Sequence, residues 1–183
     1  MRRVRRTVSV IHLAVRNRPT PDVLTLLRRL LAEVADEPAA RIAKRPSGQP
    51  YLPDRPDLAV SMSHDGNWVA AAVGIGVSVG IDVQQPQPVT AGRLRRCGSP
   101  ETRLALAALP DADREREYAR IWSVQEACVK AAGTGLAGRP WSIPVGVGQH
   151  DGEWQNLVWH SHSEHGVPVA VAHGLPSTEG EAR

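Results

Sequence analysis

Residues 58–83 read LAVSMSHDGNWVAAAVGIGVSVGIDV, and this stretch decides the fold. Its apolar and β-branched residues predict three strands, at residues 58–63, 68–73 and 77–83. The residues 64–67, His-Asp-Gly-Asn, are typical of a tight turn. We therefore expect the first two strands to pair as an antiparallel hairpin.

Helices are predicted on both sides of this stretch. The residues Thr20-Pro-Asp22 supply an N-cap and a first-turn proline for a helix that runs to about Val34, with one apolar face. The remaining helices are predicted at residues 38–43, 91–109 (interrupted near Pro100) and 112–132. The remaining strands are predicted at residues 7–15, 145–147, 154–159 and 167–172.

Strands and helices are segregated in this pattern rather than alternating as regular βαβ units, which predicts the α+β class. The prolines within residues 84–89 separate two parts with similar content. We expect an N-terminal α+β half at residues 1–83, a C-terminal α+β half at residues 84–174, and a polar tail at residues 175–183.

The composition is that of a soluble globular protein. The chain has 183 residues, 42% of them hydrophobic and 22% charged, which excludes disorder as its main state. No apolar run reaches the roughly 18 residues that a membrane span needs. The basic residues 1–6 resemble the start of a signal peptide, but a long apolar segment and a cleavage site do not follow, so we expect a cytoplasmic protein.

Charge and cysteine content limit the classes of partner. The net charge of +3 is too small to predict nucleic-acid binding, for which basic residues normally form a patch with aromatic ones. A mildly basic protein suits an acidic partner, because opposite charges speed encounter. Cys97 and Cys128 lack metal or redox spacing and are interpreted as two thiols in a reducing compartment, with a single disulfide as the alternative.

Three motifs resemble active or metal sites, and each has an ordinary structural explanation. The sequence Gly76-Val-Ser-Val-Gly80 fits the G-x-S-x-G nucleophile elbow, but the prolines that follow cannot open the required helix, so we predict a strand interior. Ser63 and His64 are adjacent on a strand, point to opposite faces and cannot form a nucleophile–base pair. They form either a polar strand end or an anion contact at the rim of the sheet. Four histidines without further zinc ligands are predicted at the surface, at positions 150, 160, 162 and 165.

Two segments place carboxylates at positions that suit cation binding or an ion pair. Asp82 lies near the end of a predicted strand, and Gln84, two residues later, shares its face. Such a strand end can hold a hard cation that keeps several waters, although a turn-capping aspartate is the alternative. Trp122, Glu126 and Lys130 are spaced four residues apart on one helix face, where Glu126 and Lys130 are also consistent with an ordinary ion pair.

Taken in order, four segments resemble the Sfp-type 4′-phosphopantetheinyl transferases. The family patterns are G-K-P, S-H, G-I-D-x-E and W-x-x-K-E-A-x-x-K. The matching segments here are SGQPYLP at 47–53, VSMSHDGNW at 60–68, VGIDVQ at 79–84, and WSVQEACVK at 122–130 with Gly-Thr-Gly at 133–135. Each motif alone is weak, but four in the right order are fairly specific, and together they span about half the chain.

The resemblance implies an α+β fold of two pseudo-symmetric halves, each a small antiparallel sheet packed with helices, that meet around coenzyme A. It implies an enzyme that moves the phosphopantetheine arm of coenzyme A to a serine of an acidic acyl or peptidyl carrier protein, releasing 3′,5′-adenosine bisphosphate. Phosphoryl transfer suits such a site, because it depends mostly on the positioning of metals and cations. By analogy, a member of this size is expected to work as a monomer.

The resemblance also implies roles for particular residues. Asp82, Gln84 and Glu126 would hold Mg²⁺, and Glu126 would also take the proton of the serine, directly or through a water. Lys130 would neutralise phosphate charge as the leaving group departs. The coenzyme A contacts implied by the motifs are Ser63, His64, Gln49 and Pro50.

Three glutamines depart from the family patterns. Gln49 and Gln125 stand where the family has lysine, and each removes a cation near the nucleotide or the active face. Gln84 stands where the family has glutamate, and a neutral ligand weakens a metal site. A basic helical segment between the first strand and the first helix is also missing.

Two functions therefore remain open at this point. The first is an active transferase, which the retained Asp82, Glu126 and Lys130 favour. The second is a transferase-like protein that has lost or changed the activity and acts as a carrier-protein or coenzyme A binding module, or as a repurposed enzyme.

Overall fold

The structure is a computed structural model that describes residues 10–17 and 22–174. Its first half is a three-stranded sheet with one helix and a small hairpin. These elements are β1 (Val10–Asn17), α1 (Val23–Ala35), β2 (Ala43–Lys44), β3 (Pro50–Tyr51), β4 (Leu58–Asp65) and β5 (Trp68–Ile75). Part of the predicted first strand, the residues Thr20 and Pro21, and the predicted tail lie outside the described residues.

The second half is a four-stranded sheet with one long helix and two short ones. Its elements are β6 (Val79–Val83), α2 (Ala91–Arg95), α3 (Pro100–Ala107), α4 (Asp111–Ala132), β7 (Asp151–Trp154), β8 (Leu157–Glu164) and β9 (Val167–Gly174). Two short 3₁₀ helices, Gly135–Gly138 and Pro140–Ser142, follow α4. The predicted α+β class is confirmed.

The first sheet has the strand order β1-β5-β4, and all neighbours are antiparallel. Helix α1 begins after Asp22, whose side chain accepts a hydrogen bond of 3.0 Å from the Thr25 N–H. Such a bond satisfies one of the free N–H groups of a first helical turn. Leucines on one face of α1 pack against alternate residues of β5, and the contacting residues are Leu26, Leu27, Leu30, Leu31, Val69, Ala71 and Val73.

The second sheet has the antiparallel order β6-β9-β8-β7. Alternation along β6 divides its residues between two layers. Val79, Ile81 and Val83 share a core cluster with Trp68 and Ala70 of the first sheet. The residues between them, Gly80 and Asp82, face α4. The molecule therefore has the layer order α1, first sheet, second sheet and α4.

Side chains of β4 join the two sheets at the edge of β6. Ser61 Oγ accepts a hydrogen bond of 3.0 Å from the Ile81 N–H, and Ser63 Oγ accepts one of 3.4 Å from the Val83 N–H. Asp65 Oδ2 accepts one of 2.7 Å from the Gln85 N–H. We call these three bonds the side-chain ladder. The first two satisfy backbone donors of the edge strand β6, and the third satisfies a donor two residues beyond its end.

Gly80 brings β6 unusually close to α4. A Cβ atom at this position would lie 2.0 Å from the carbonyl oxygen of Ala127 and 2.5 Å from the nitrogen of Ala131. Only a residue without a side chain allows this approach. The contact fixes how far Asp82, two residues along β6, lies from the last turns of α4.

A buried ion pair fixes the loop between the 3₁₀ helices and β7. Arg120 on α4 pairs with Glu117 and also donates to the carbonyl oxygens of Gly146 and Gln149. The Gly148 N–H donates to Glu117 over 2.6 Å. Because the Arg120 side chain is only 5% exposed, these contacts replace water at a charge that would otherwise be costly to bury.

Two predictions for the second half were wrong. Residues 145–147 are not a strand, because their carbonyl groups bond to side chains: Thr102 Oγ1 donates to Val145, and Arg120 donates to Gly146. The predicted strand 154–159 contains a turn, since Trp154 pairs with Leu157 and Gln155 has a positive φ of 54°.

Two predictions for the first half also need correction. Residues 38–43 are not a helix: Arg28 donates to the carbonyl oxygens of Pro38 and Ala40, and Ala43 pairs with Tyr51 in β2–β3. Strand β4 continues through His64 to Asp65, so the turn is shorter than predicted. The predicted helix 91–109 is divided into α2 and α3, as the expected interruption near Pro100 indicated.

Both cysteines are free and buried. Burial raises the pKa of the Cys97 and Cys128 thiols to about 12, so neither is a nucleophile at neutral pH. None of the helices within the described residues is long and apolar enough to cross a membrane.

We predict that Gly80→Ala lowers the free energy of unfolding by about 1–3 kcal/mol, because the new methyl group must push β6 away from α4. Urea denaturation measures the change. Gly92→Ala in α2 is the control, since its Cβ would meet no atom closer than 3.8 Å. A Gly80→Ala protein as stable as the wild type would contradict the close packing of β6 on α4.

We predict that Glu117→Gln destabilises the protein by about 2 kcal/mol at neutral pH. Burial raises the pKa of Glu117, but Arg120 and the Gly148 N–H outweigh it, so the pKa is lowered overall. A carboxylate with a lowered folded pKa contributes stability above its unfolded pKa of roughly 4.3, and this stability is lost as pH falls through the folded pKa. The difference between the two proteins should therefore shrink in acid.

Urea denaturation at neutral pH and at a pH below 4 tests this expectation. Glu153→Gln on the exposed edge of β7 is the control and should change stability little at either pH. A loss that is equally large at both pH values would contradict the assignment to the ionised Glu117.

Candidate active site

Asp82 is a buried carboxylate between the two sheets and α4. Its side chain is 7% exposed, and its Oδ1 accepts hydrogen bonds of 2.6 Å from both Ser63 Oγ and Lys130 Nζ. Its other oxygen, Oδ2, is buried and has no hydrogen-bond partner among the described residues. A buried oxygen without a partner is costly, which indicates that a further ligand belongs at this atom.

Lys130 reaches Asp82 from the last turn of α4. Its Nζ also donates to the carbonyl oxygen of Ile81 over 3.2 Å. The spacing along α4 predicted an ion pair between Lys130 and Glu126 as one alternative. Instead, the ammonium group is directed across to β6 and holds the helix to the strand.

Glu126 lies one turn before Lys130 and is half-buried. Burial raises the pKa of Glu126, the charge of Asp82 raises it further, and Lys130 offsets part of this. Burial likewise raises the pKa of Asp82, against the opposing effects of Lys130 and Ser63, while the charge of Asp65 adds to the increase. The ammonium group of Lys130 therefore acts on two carboxylates, those of Asp82 and Glu126.

A cavity of about 280 Å³ opens beside Glu126 and Lys130, while Asp82 is not among its lining residues. The turn before β3, strand β4 and the end of α4 form its walls. Its lining residues are Ser47, Gly48, Gln49, Pro50, Ser61, Met62, Glu126, Val129, Lys130, Gly133, Gly135 and Leu136. Gln49 Nε2 donates to the carbonyl oxygen of Lys130 over 3.0 Å, which ties the turn to the end of α4.

The carboxylates of Asp82 and Glu126 are suitable ligands for a magnesium ion whose coordination a substrate would complete. Within the described ranges, no three His, Cys, Asp or Glu side chains converge into a metal site on their own. Mg²⁺, however, is usually held by one or two carboxylates together with substrate phosphates and waters. Oδ2 of Asp82, which has no hydrogen-bond partner among the described residues, and the carboxylate of Glu126 would be the two carboxylate ligands of such a site.

Comparison with known proteins shows the family of this chain. Residues 78–170, just over half of the chain, match the model of the 4′-phosphopantetheinyl transferase superfamily. The chain belongs to this superfamily. The matched region contains β6 and α4, and with them Asp82, Glu126 and Lys130, so the superfamily match and the site fall on the same elements.

The chain is also similar in sequence to individual members of the superfamily. A 4′-phosphopantetheinyl transferase from Bacillus subtilis is 35% identical over 91 residues, which are 49% of this chain and 40% of that protein. The transferase Sfp of Bacillus subtilis strain 168 is 30% identical over 103 residues, 56% of this chain and 45% of its own. The transferase HetI of a Nostoc species is 32% identical over 95 residues, 49% and 40% respectively. The aligned part thus spans less than half the length of these transferases.

The other residues that the sequence indicated as site residues lie in different environments. Gln49 and Pro50 line the cavity, and His64 is exposed on the face of β4 opposite Ser63. Ser63 is almost buried, and its hydroxyl is used by Asp82 and by the Val83 N–H. Gln84 donates its amide to Asp65 over 2.9 Å.

Gln125 does not lie at the active face, which corrects the sequence interpretation. It is fully buried in the second core, where its Nε2 donates to the carbonyl oxygen of Ile143 over 3.0 Å. One residue along a helix is a rotation of about 100°, so the neighbour of Glu126 faces another direction.

The alternatives to a transferase site have little support in the geometry. Ser78 lies in the link just before β6, not in a strand interior, and a strand rather than a helix follows it. The histidines at 150, 160, 162 and 165 are exposed, as predicted.

Sequence reasoning missed Asp65 and Ser61. Asp65 was assigned to the turn, although it lies on β4. A signal was present: Ser61, Ser63 and Asp65 alternate along one strand, and three polar residues on one face of an otherwise apolar strand indicate a polar contact between layers.

We predict that Lys130→Met lowers the free energy of unfolding by about 2 kcal/mol in the presence of a chelator, because it leaves Asp82 buried without its cation. The double variant Asp82→Asn/Lys130→Met should be more stable than Lys130→Met alone, since the carboxylate that lost its cation is then neutral. Urea denaturation of the two single variants and the double variant measures the coupling.

Lys44→Met, at the other lysine of the chain, is the matched control and should change stability little. Additive effects of Asp82→Asn and Lys130→Met would contradict the assigned ion pair.

Proposed function

We propose that this protein transfers the 4′-phosphopantetheine arm of coenzyme A to a serine of an apo acyl or peptidyl carrier protein, in a Mg²⁺-dependent reaction that releases 3′,5′-adenosine bisphosphate. The observation that carries the proposal is that Lys130 bonds to the buried Asp82 and lines one cavity together with Glu126. Membership of the superfamily supplies the class of reaction.

The proposed chemistry is one substitution at phosphorus. The serine oxygen of the carrier protein forms a bond to the phosphorus that bears the pantetheine arm. The bond from that phosphorus to the bridging oxygen of the pyrophosphate breaks, and 3′,5′-adenosine bisphosphate leaves with this oxygen. Little covalent work falls to the protein in such a reaction, which depends on positioning and on charge.

Glu126 is the proposed general base. Burial and the charge of Asp82 raise the pKa of Glu126, which makes it a stronger base once it is ionised. It accepts the serine proton directly or through one water. Its position on the wall of the cavity allows the serine to approach from solvent.

Asp82 and Lys130 are proposed to handle charge at the pyrophosphate. Asp82 and Glu126 would hold Mg²⁺, and Gln84 would add a neutral oxygen ligand. Bound Mg²⁺ would supply positive charge to the phosphate oxygens. Lys130, on the cavity wall, neutralises the charge that develops on the leaving group.

The coenzyme A contacts are proposed at the mouth of the site. Gln49 and Pro50 line the cavity, and exposed His64 can reach a phosphate from the end of β4. Ser63 takes a different role from the one that the motif implied. Because its hydroxyl already donates to Asp82, we assign it to the orientation of that carboxylate.

The partner and the state of the protein follow from the same proposal. An acidic carrier protein suits the net charge of +3. Asp82 from β6 and both Glu126 and Lys130 from α4 come from the same chain, which supports the proposal of a monomer. We propose that the monomer acts in the cytoplasm, where carrier proteins and coenzyme A meet.

Incubation with apo carrier proteins, coenzyme A and Mg²⁺, followed by mass spectrometry, tests the function. We predict a gain of one phosphopantetheine mass on the carrier, lost with a chelator. Glu126→Gln should slow the transfer by about 100-fold or more, the usual contribution of a general base. The matched control is Glu115→Gln on the same helix, which should leave the rate unchanged.

Two results would contradict the proposal in different ways. Transfer that persists at full rate in Glu126→Gln would exclude Glu126 as the base. Coenzyme A binding by calorimetry without transfer to any carrier of the panel would exclude the transferase and support the binding-module function instead.

A further inference from the structure

Asp65 lies beside the end of β6. At this place the sequence departs from the family pattern G-I-D-x-E, because Gln84 stands at the position of the glutamate. Its Oδ2 accepts hydrogen bonds from the Gln84 amide over 2.9 Å and from the Gln85 N–H over 2.7 Å. The bond from the Gln85 N–H fixes the Asp65 carboxylate to the backbone. The bond from the Gln84 amide holds the side chain of Gln84, the residue that stands where the family motif has glutamate.

Gln84 continues the strand geometry of β6. Its N–H donates to the carbonyl oxygen of Pro168 over 3.1 Å, which extends the pairing of β6 with β9 by one residue. Side chains two residues apart on a strand share a face. Gln84 therefore lies on the same face as Asp82.

The bond to Asp65 also determines which end of the Gln84 amide is free. A carboxylate only accepts hydrogen bonds, so it selects the amide nitrogen. The carbonyl oxygen Oε1 is then the end turned away from Asp65. Amide carbonyl oxygens are ligands for hard cations such as Mg²⁺.

Asp82 independently indicates a ligand at this place, since its Oδ2 is buried without a partner among the described residues. The end of β6 thus combines a free carboxylate oxygen, a fixed amide and a second carboxylate behind that amide.

We propose that Asp65 is a positioning residue of the metal site: it fixes Gln84 with its carbonyl oxygen available to the cation, and it supplies the negative charge that a glutamate at position 84 would carry. This inference rests on the proposed function, in which Asp82 and Glu126 hold Mg²⁺. In this inference, Gln84 supplies the ligand oxygen and Asp65 supplies the negative charge, so the two residues together replace the glutamate of the family pattern.

Binding of Mn²⁺, a paramagnetic substitute for Mg²⁺, tests the inference without a transfer assay. Electron paramagnetic resonance measures free Mn²⁺ in the presence of coenzyme A, with coenzyme A alone as the blank. Asp65→Asn should weaken Mn²⁺ binding about tenfold, the low end of what the loss of an outer-shell partner costs. Gln84→Met, which removes the amide and keeps Asp65, should weaken it by a similar factor.

Moving the carboxylate from position 65 to position 84 tests whether Asp65 acts on metal binding or only on folding. The double variant Asp65→Asn/Gln84→Glu should bind Mn²⁺ within about threefold of the wild type, because the charge returns at the neighbouring position. Gln84→Glu alone should give no gain, since its carboxylate would face Asp65. Asp54→Asn, at an exposed aspartate that pairs with Arg41, is the control and should not change binding.

The outcomes distinguish this inference from the proposed function. Wild-type binding of Mn²⁺ no tighter than that of Asp82→Asn would overturn the metal site itself, and the inference with it. Weakening in Asp82→Asn, but not in Asp65→Asn or Gln84→Met, would overturn only the role of Asp65. A large gain from Gln84→Glu alone, or no rescue in the double variant, would also overturn it.

Discussion

The side-chain ladder between β4 and β6 is the constraint on which the rest of the site depends. β6 is an edge strand, and an edge strand that is packed inside a protein needs partners for its N–H groups. Here the side chains of Ser61 and Ser63 provide them within β6, and Asp65 does so for the chain just beyond it. The two sheets can therefore belong to different layers and still be joined at one line of hydrogen bonds.

The ladder and helix α4 act on β6 from different sides, and Asp82 lies where they meet. Gly80 allows the helix to approach the strand at backbone distance, and this approach brings Lys130 within reach of Asp82. Ser63 belongs both to the ladder and to the Asp82 contacts. One carboxylate oxygen is thus fully used for structure, while the other is buried and left for a ligand. The same packing that stabilises the fold leaves Oδ2 of Asp82 without a partner among the described residues, and the proposed function uses this atom as a metal ligand.

Much of this arrangement could be predicted from sequence, because it depends on local patterns. Alternation located the strands around Ser63 and Asp82, and helical spacing put Glu126 and Lys130 on one face. The direction of Lys130 could not be predicted, since an intrahelical pair with Glu126 satisfies the same spacing. Nor could the position of Asp65, because Asp-Gly-Asn is a good turn sequence and the strand extends into it only when β5 is present to pair.

The glutamines that replace charged residues of the family pattern all have partners here, and each has a physical consequence of its own. Gln125 is fully buried and bonds to Ile143, so a lysine would be costly at this position and its charge would not reach the cavity. Gln49 donates to a carbonyl group in the last turn of α4, where an amide keeps the hydrogen bond but loses the favourable effect of a cation on the helix dipole.

Among the described residues that line the cavity, Lys130 is then the one cation. Lys130 pairs with Asp82, and if Asp82 held the proposed Mg²⁺, the ammonium group of Lys130 would be available to a phosphate. A glutamine in place of lysine at position 49 would then make the proposed site more dependent on its metal.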